Sequence, residues 1–135
     1  MAELNTHLGE IDSWNARLIA VSVDPPEEAL RFKRDLGLAF ELLSDPEREA
    51  IIDMDILNPR ERGGIARPNF YILAPQREIV FHSQDGIARR ATFEAVRAFM
   101  ERYRKDPSHR VFNDARALAT PTLKDTLLSI PRKYF

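Results

Sequence analysis

The side chains that could do chemistry in this sequence are few, and one type is absent altogether. Among its 135 residues there is no cysteine, which excludes disulfides, thiolate metal sites and thiol catalysis by the chain as written. The three histidines, His7, His82 and His109, lie far apart and show no metal-ligand spacing. His82 falls on an expected strand arm and reads as a half-exposed strand residue rather than a base. Asp53, Asp55 and Glu61 form an acid-rich stretch without the ligand spacing of a calcium loop. Arg89-Arg90 could meet an anion or an acidic partner, yet such pairs near a helix start are usually solvated surface. Trp14 reads as a core or helix-rim aromatic rather than a substrate platform. No phosphate-cradling glycine loop, nucleophile elbow or zinc motif is present. No cofactor or metal is therefore expected.

Length and composition set the frame for these residues. One compact domain fits this length and two ordinary ones do not. At 44% hydrophobic and 30% charged, the chain reads as a soluble globular protein. Its net charge of −1 gives no global field for nucleic acid or an anionic membrane, and no basic patch carries interleaved aromatics. No apolar run approaches the roughly 20 residues of a membrane-spanning helix. The start, Met1-Ala2-Glu3-Leu4, lacks the basic and apolar regions of a signal peptide, so a cytoplasmic location is the expectation.

Periodicity supplies the elements. Leu4, Leu8, Ile11 and Trp14 share one stripe at helical spacing, predicting a helix over residues 3–14. The run Arg17 to Val23 is continuously apolar and partly β-branched, which suits a strand buried on both faces. Asp24-Pro25-Pro26 ends it, and proline is tolerated in the helical turn that follows. Ala29, Phe32 and Leu36 give the buried stripe of a second helix, with Gly37 as its C-terminal cap. Leu38 to Leu43 can form a short strand. Ser44-Asp45-Pro46-Glu47 reads as a capping box opening a helix to about Met54. Asn58 to Ala66 is a polar loop containing Gly63-Gly64. Asn69 to Leu73 and Glu78 to Phe81 read as a hairpin. Thr92 caps a last helix whose apolar stripe is Phe93, Val96, Phe99, Met100 and Tyr103. Alternating strands and helices followed by an antiparallel pair make an α/β pattern with a mixed sheet. The tail, residues 108–135, carries Phe112, Leu118, Leu123, Leu127, Leu128, Ile130 and Phe135, and is too apolar to stay uncovered.

Several stretches together resemble one family. The segment from Glu3-Leu4 through Asp24-Pro25-Pro26-Glu27 looks like the helix, strand and turn that follow the active site in peroxiredoxins of the alkyl hydroperoxide reductase / thiol-specific antioxidant family. Leu42-Leu43-Ser44-Asp45-Pro46 resembles that family's LLSDP turn. Gly64-Ile65-Ala66-Arg67-Pro68-Asn69-Phe70-Tyr71-Ile72 resembles its ARPATFVID strand, and Arg77-Glu78-Ile79-Val80-Phe81 its DG-x-I hairpin arm. The likeness covers roughly residues 3 to 103, and the order and spacing of these short motifs carry it.

The resemblance implies a thioredoxin-like mixed sheet flanked by helices, here lacking the N-terminal strands and followed by the apolar tail. It divides the chain into a domain over residues 1–106 and an extension over 107–135 that packs on the domain or on a partner subunit. It also implies thiol-dependent peroxide reduction by a cysteine at a helix N-terminus, where dipole and arginine lower its pKa. That segment normally stands just ahead of Glu3-Leu4, and Met1 falls about where a family cysteine would be. Either an upstream segment carries the cysteine, or the scaffold has lost it; this chain alone is expected to be inactive. Arg67 matches the family's active-site arginine, which stabilises the thiolate and polarises the peroxide oxygen. Read without the family, Arg67 is a loop-end arginine with a surface carboxylate partner. Pro68 occupies the place of the thioredoxin-fold proline before a central strand, with cis and trans both open. The alternative to a peroxidase is a non-catalytic protein-interaction module, because loss of a strand exposes a sheet edge. A homodimer involving the tail is expected in either case, with a further protein partner as an option.

Overall fold

A computed structural model of the protein describes residues 2–61, 63–84 and 92–113. The chain divides into two compact parts, Met1–Asp55 and Ile56–Phe135.

The first part opens with two short helices, α1 (Ala2–Thr6) and α2 (Leu8–Ser13), rather than the single helix expected. Strand β1 (Ile19–Ser22), helix α3 (Pro26–Asp35), strand β2 (Glu41–Ser44) and helix α4 (Glu49–Asp53) follow. β1 and β2 pair in parallel, Ile19 opposite Glu41 and Val21 opposite Leu43. The ladder is prolonged by the Asp45 N–H, which donates to the Ser22 carbonyl at 2.7 Å. Left-handed residues stop the helices. At the end of α3, Gly37 (φ +58°) donates to the Arg34 carbonyl while Leu38 donates to that of Lys33, satisfying two orphan carbonyls. Asn15 does the same after α2, bonding Asp12 while Ala16 bonds Ile11. The carboxamide of Asn5 fastens α1 to the turn after α3, donating to the Gly37 carbonyl and accepting from the Ala39 N–H.

Further expectations for this part fail: of the stripe expected on α3, Ala29 is buried but Phe32 is 40% exposed. The β1 run is not buried on both faces: Ile19 and Val21 are 45% and 50% exposed, because among the described residues β2 is its one pairing partner. The capping box at Ser44 does not form either. Arg48, at φ +62°, stands at the N-cap of α4, and the cap acceptor is the Asp45 carboxylate, which receives the Ile51 N–H at 3.2 Å. The Ser44 hydroxyl instead donates to the Asp24 carbonyl. A tight turn, Arg48 N–H to Asp45 carbonyl, intervenes before the helix can start.

The second part contains β3 (Leu57–Asn58), β4 (Ile65–Ala66), β5 (Asn69–Leu73), β6 (Ile79–Gln84), helix α5 (Phe93–Lys105) and β7 (Val111–Asn113). The polar loop expected over 58–66 is closed at its base by β3 and β4, which pair antiparallel. Asn58 is buried there, its Oδ1 accepting from the Arg60 N–H. β5 and β6 form the expected hairpin, turned by Arg77 at φ +65°. β6 continues past the expected Phe81 to Gln84, and β7 adds to its far edge in parallel. A bulge interrupts the hairpin: Ile72 faces Phe81 and Leu73 faces Ile79, so Val80 is passed over. Helix α5 is capped by Thr92, whose Oγ1 accepts from Ala95 N–H. Its expected stripe is buried at Phe93, Val96, Phe99 and Met100, and half-buried at Tyr103. Phe99 stacks near Phe81 (5.1 Å), Tyr103 (5.5 Å) and His109 (5.5 Å) and so joins helix, sheet and the segment after the helix. Met1, Arg89-Arg90 and the tail residues Leu118, Leu123, Leu127, Leu128, Ile130 and Phe135 lie outside the described residues. No described helix is long and apolar enough to cross a membrane.

Phe99→Ala is expected to lower unfolding stability by about 3–5 kcal/mol, read by urea denaturation, since it removes a ring buried among three others. Gly37→Ala should cost about 1 kcal/mol from backbone strain alone, because no atom lies within 4 Å of the added methyl.

Candidate functional site

The residues with chemical potential in the second part gather on one face of the β5–β6 hairpin. In an antiparallel pair, directly opposed residues share a face, and alternate residues along each strand return to it. Asn69 faces Gln84 and Tyr71 faces His82, and β7 continues the second row with Phe112 opposite His82. The other face, with Phe70 and Phe81, turns to α5, where the Phe81 ring packs on Phe99.

Arg67 and Pro68 form the step between β4 and β5. The Arg67 N–H donates to the Ile56 carbonyl at 2.7 Å, and the Arg67 carbonyl accepts from Asn69 Nδ2 at 2.6 Å. The side chain is half-buried, its Nε shielded from solvent. The peptide bond before Pro68 is trans, which closes the choice left by the sequence. Asn69 Oδ1 lies 2.7 Å from His82 Nε2 and 3.5 Å from the Tyr71 hydroxyl. The rings of Tyr71 and His82 stack at 4.4 Å, 6° from parallel. Burial pushes the Tyr71 phenol above its usual pKa, and the nearby Arg67 charge opposes that shift. Opposite Asn69, Gln84 is only 2% exposed and its Oε1 accepts no hydrogen bond among the described residues.

The arrangement provides a guanidinium, a neutral phenol and an amide–imidazole pair, which can steady negative charge and orient a polar group. It provides no thiolate. The other residues weighed from the sequence have their own surroundings. His7 lies 4.0 Å from Glu10, and His109 stacks on Phe99. Trp14 is half-buried. Asp53, Asp55 and Glu61 join no metal-binding cluster among the described residues. Asn69 and Tyr71 were not singled out from the sequence, although polar residues two and four places after Arg67 in an apolar strand already mark one shared face.

Comparison with known proteins identifies the scaffold. The AhpC/TSA family model matches residues 1–82, more than half of the chain. The chain belongs to the AhpC/TSA family. AhpC from Enterococcus faecalis superposes with a TM-score of 0.71 at 17% identity, covering 80% of this chain and 66% of that one. Mycobacterium bovis AhpC gives 0.69 at 25% identity, covering 78% and 59%. The mitochondrial 2-Cys peroxiredoxin of Plasmodium falciparum gives 0.68 at 16% identity, covering 78% and 67%. No curated protein matches the chain. The fold is thus the mixed α/β, thioredoxin-like fold of the peroxiredoxins, as the motifs implied, and this chain spans about half to two thirds of the length of the first structures it matches.

Because the folded-state pKa of Tyr71 is raised, native protein holds that proton more tightly than unfolded chain. Stability is therefore expected to be full below about pH 10 and to fall as pH rises through the folded value. Tyr71→Phe should flatten this alkaline loss, and Arg67→Gln should move the phenol's spectrophotometric titration still higher. A titration unmoved by Arg67→Gln would contradict the charge placement.

Proposed function

We propose that this chain is a peroxiredoxin-like scaffold that keeps the family's arginine, as Arg67, and does not reduce peroxides by itself. The observation that carries the reading is the AhpC/TSA match over residues 1–82 in a chain with no cysteine. In thiol-dependent reduction a thiolate attacks one peroxide oxygen, the O–O bond breaks, sulfur becomes a sulfenic acid, and the other oxygen leaves as water or alcohol after taking a proton. Loss of the sulfur removes the nucleophile itself, and a guanidinium that stabilises charge cannot replace it. In this reading Arg67 is the active-site arginine and Pro68 its structural neighbour. Residues 1–106 are the domain proper and 107–135 an extension that packs on the domain or on a partner subunit; the pairing of Val111–Asn113 with β6 supports packing on the domain. The protein works in the cytoplasm.

A second reading, a non-catalytic interaction module that forms a homodimer, is favoured by one feature of the first part. Ile19, Val21 and Leu43 are each close to half exposed and share a single face of the β1–β2 pair.

Hydrogen peroxide and an organic hydroperoxide, each supplied with dithiothreitol, should disappear no faster with the protein than without it. Turnover at the rate of a thiol peroxidase would overturn the first reading. Light scattering at high protein concentration should report a dimer; a monomer throughout would remove the second.

A further inference from the structure

We propose that Asn69 and His82 are positioning residues for Arg67, clamping its main chain so that the guanidinium is held in a fixed place. The inference rests on the reading of Arg67 as the active-site arginine. The Arg67–Pro68 step lies outside both strand ladders, and Pro68 has no N–H to offer one. The polar groups of the Arg67 main chain therefore anchor the step. Its N–H is taken by the Ile56 carbonyl, at the base of the closed loop. Its carbonyl is taken by the side chain of Asn69 at 2.6 Å. That second bond is only as rigid as the carboxamide, and the carboxamide is fixed from its other end by His82, 13 residues away on the neighbouring strand.

The directions of these bonds follow from one another. Asn69 Nδ2 is the donor to Arg67, so Oδ1 is the atom that meets His82. An amide oxygen only accepts, and His82 Nε2 must carry a proton. The stacked ring of Tyr71 holds the imidazole plane in line with that bond. An ordinary cross-strand pair would end at Asn69. Here the chain of bonds runs on from β6 through Asn69 to the one carbonyl next to the guanidinium's own Cα.

The test compares wild type with Asn69→Ala, His82→Ala and His82→Gln, the last able to donate from a similar distance. Two quantities are read by NMR: hydrogen exchange at the Arg67 amide, and the affinity for inorganic phosphate followed at the Arg67 Nε–H. Both alanine variants should exchange the Arg67 amide about tenfold faster, the scale of one hydrogen bond, while the Val96 and Met100 amides of α5 keep their wild-type rates. Phosphate affinity should fall about threefold or more, and His82→Gln should restore both quantities. Unchanged exchange at Arg67, equal loosening of α5, or no recovery with glutamine would each overturn the clamp. If Asn69→Ala does not fold, the two His82 variants decide it. Wild type that shows no phosphate shift at Arg67 would instead sink the functional reading of that arginine, and exchange would still decide the positioning.

Discussion

The pairing register of the β5–β6 hairpin decides what the second part of the chain can do. With Asn69 set opposite Gln84, Phe70, Ile72 and Phe81 fall on the side that meets α5, and Asn69, Tyr71 and His82 fall on the other. A slip of one residue would exchange the two sets, sending polar groups into the aromatic core and phenylalanines to the arginine. Stability and chemistry are thus fixed by the same ladder. The aromatic contacts of Phe81 with Phe70 and Phe99 oppose any slip, and in doing so hold the polar face in place.

That face carries groups that stabilise charge rather than form bonds. Arg67 acts on the Tyr71 phenol electrostatically, and burial acts in the opposite sense. Burial favours the neutral phenol, and phenol and guanidinium are both groups that donate hydrogen bonds. Gln84 adds a buried acceptor that no described group satisfies, at a cost of about 1–3 kcal/mol.

Much of this was legible in the sequence. Gly37 could be placed as a helix stop because a left-handed residue is needed there and glycine adopts it without strain. The stripe Phe93, Val96, Phe99 and Met100 has a period that only a helix can bury on one side. The short family motifs single out Arg67 by sequence alone. The failures have physical causes. The β1 run has the composition of a strand with neighbours on every side, and composition does not reveal how many neighbours the chain supplies. Ser44-x-x-Glu47 fits a capping box, but Asp45 reached further along and took the role. The Asn69–His82 bond joins residues from two strands, a relation that no local window contains.

The bulge at Val80 also constrains what can be changed. A regular pleat sends neighbouring side chains to opposite sides, yet Val80 and Phe81, consecutive in the chain, are 0% and 5% exposed, while Ile79 is turned outward at 38%. Val80 has no partner across the ladder, and the strand passes it between the Ile72–Phe81 and Leu73–Ile79 pairs. Deleting a residue here would make the alternation perfect on paper and leave the hairpin one filling short. In such a strand, irregularity is what keeps the length right.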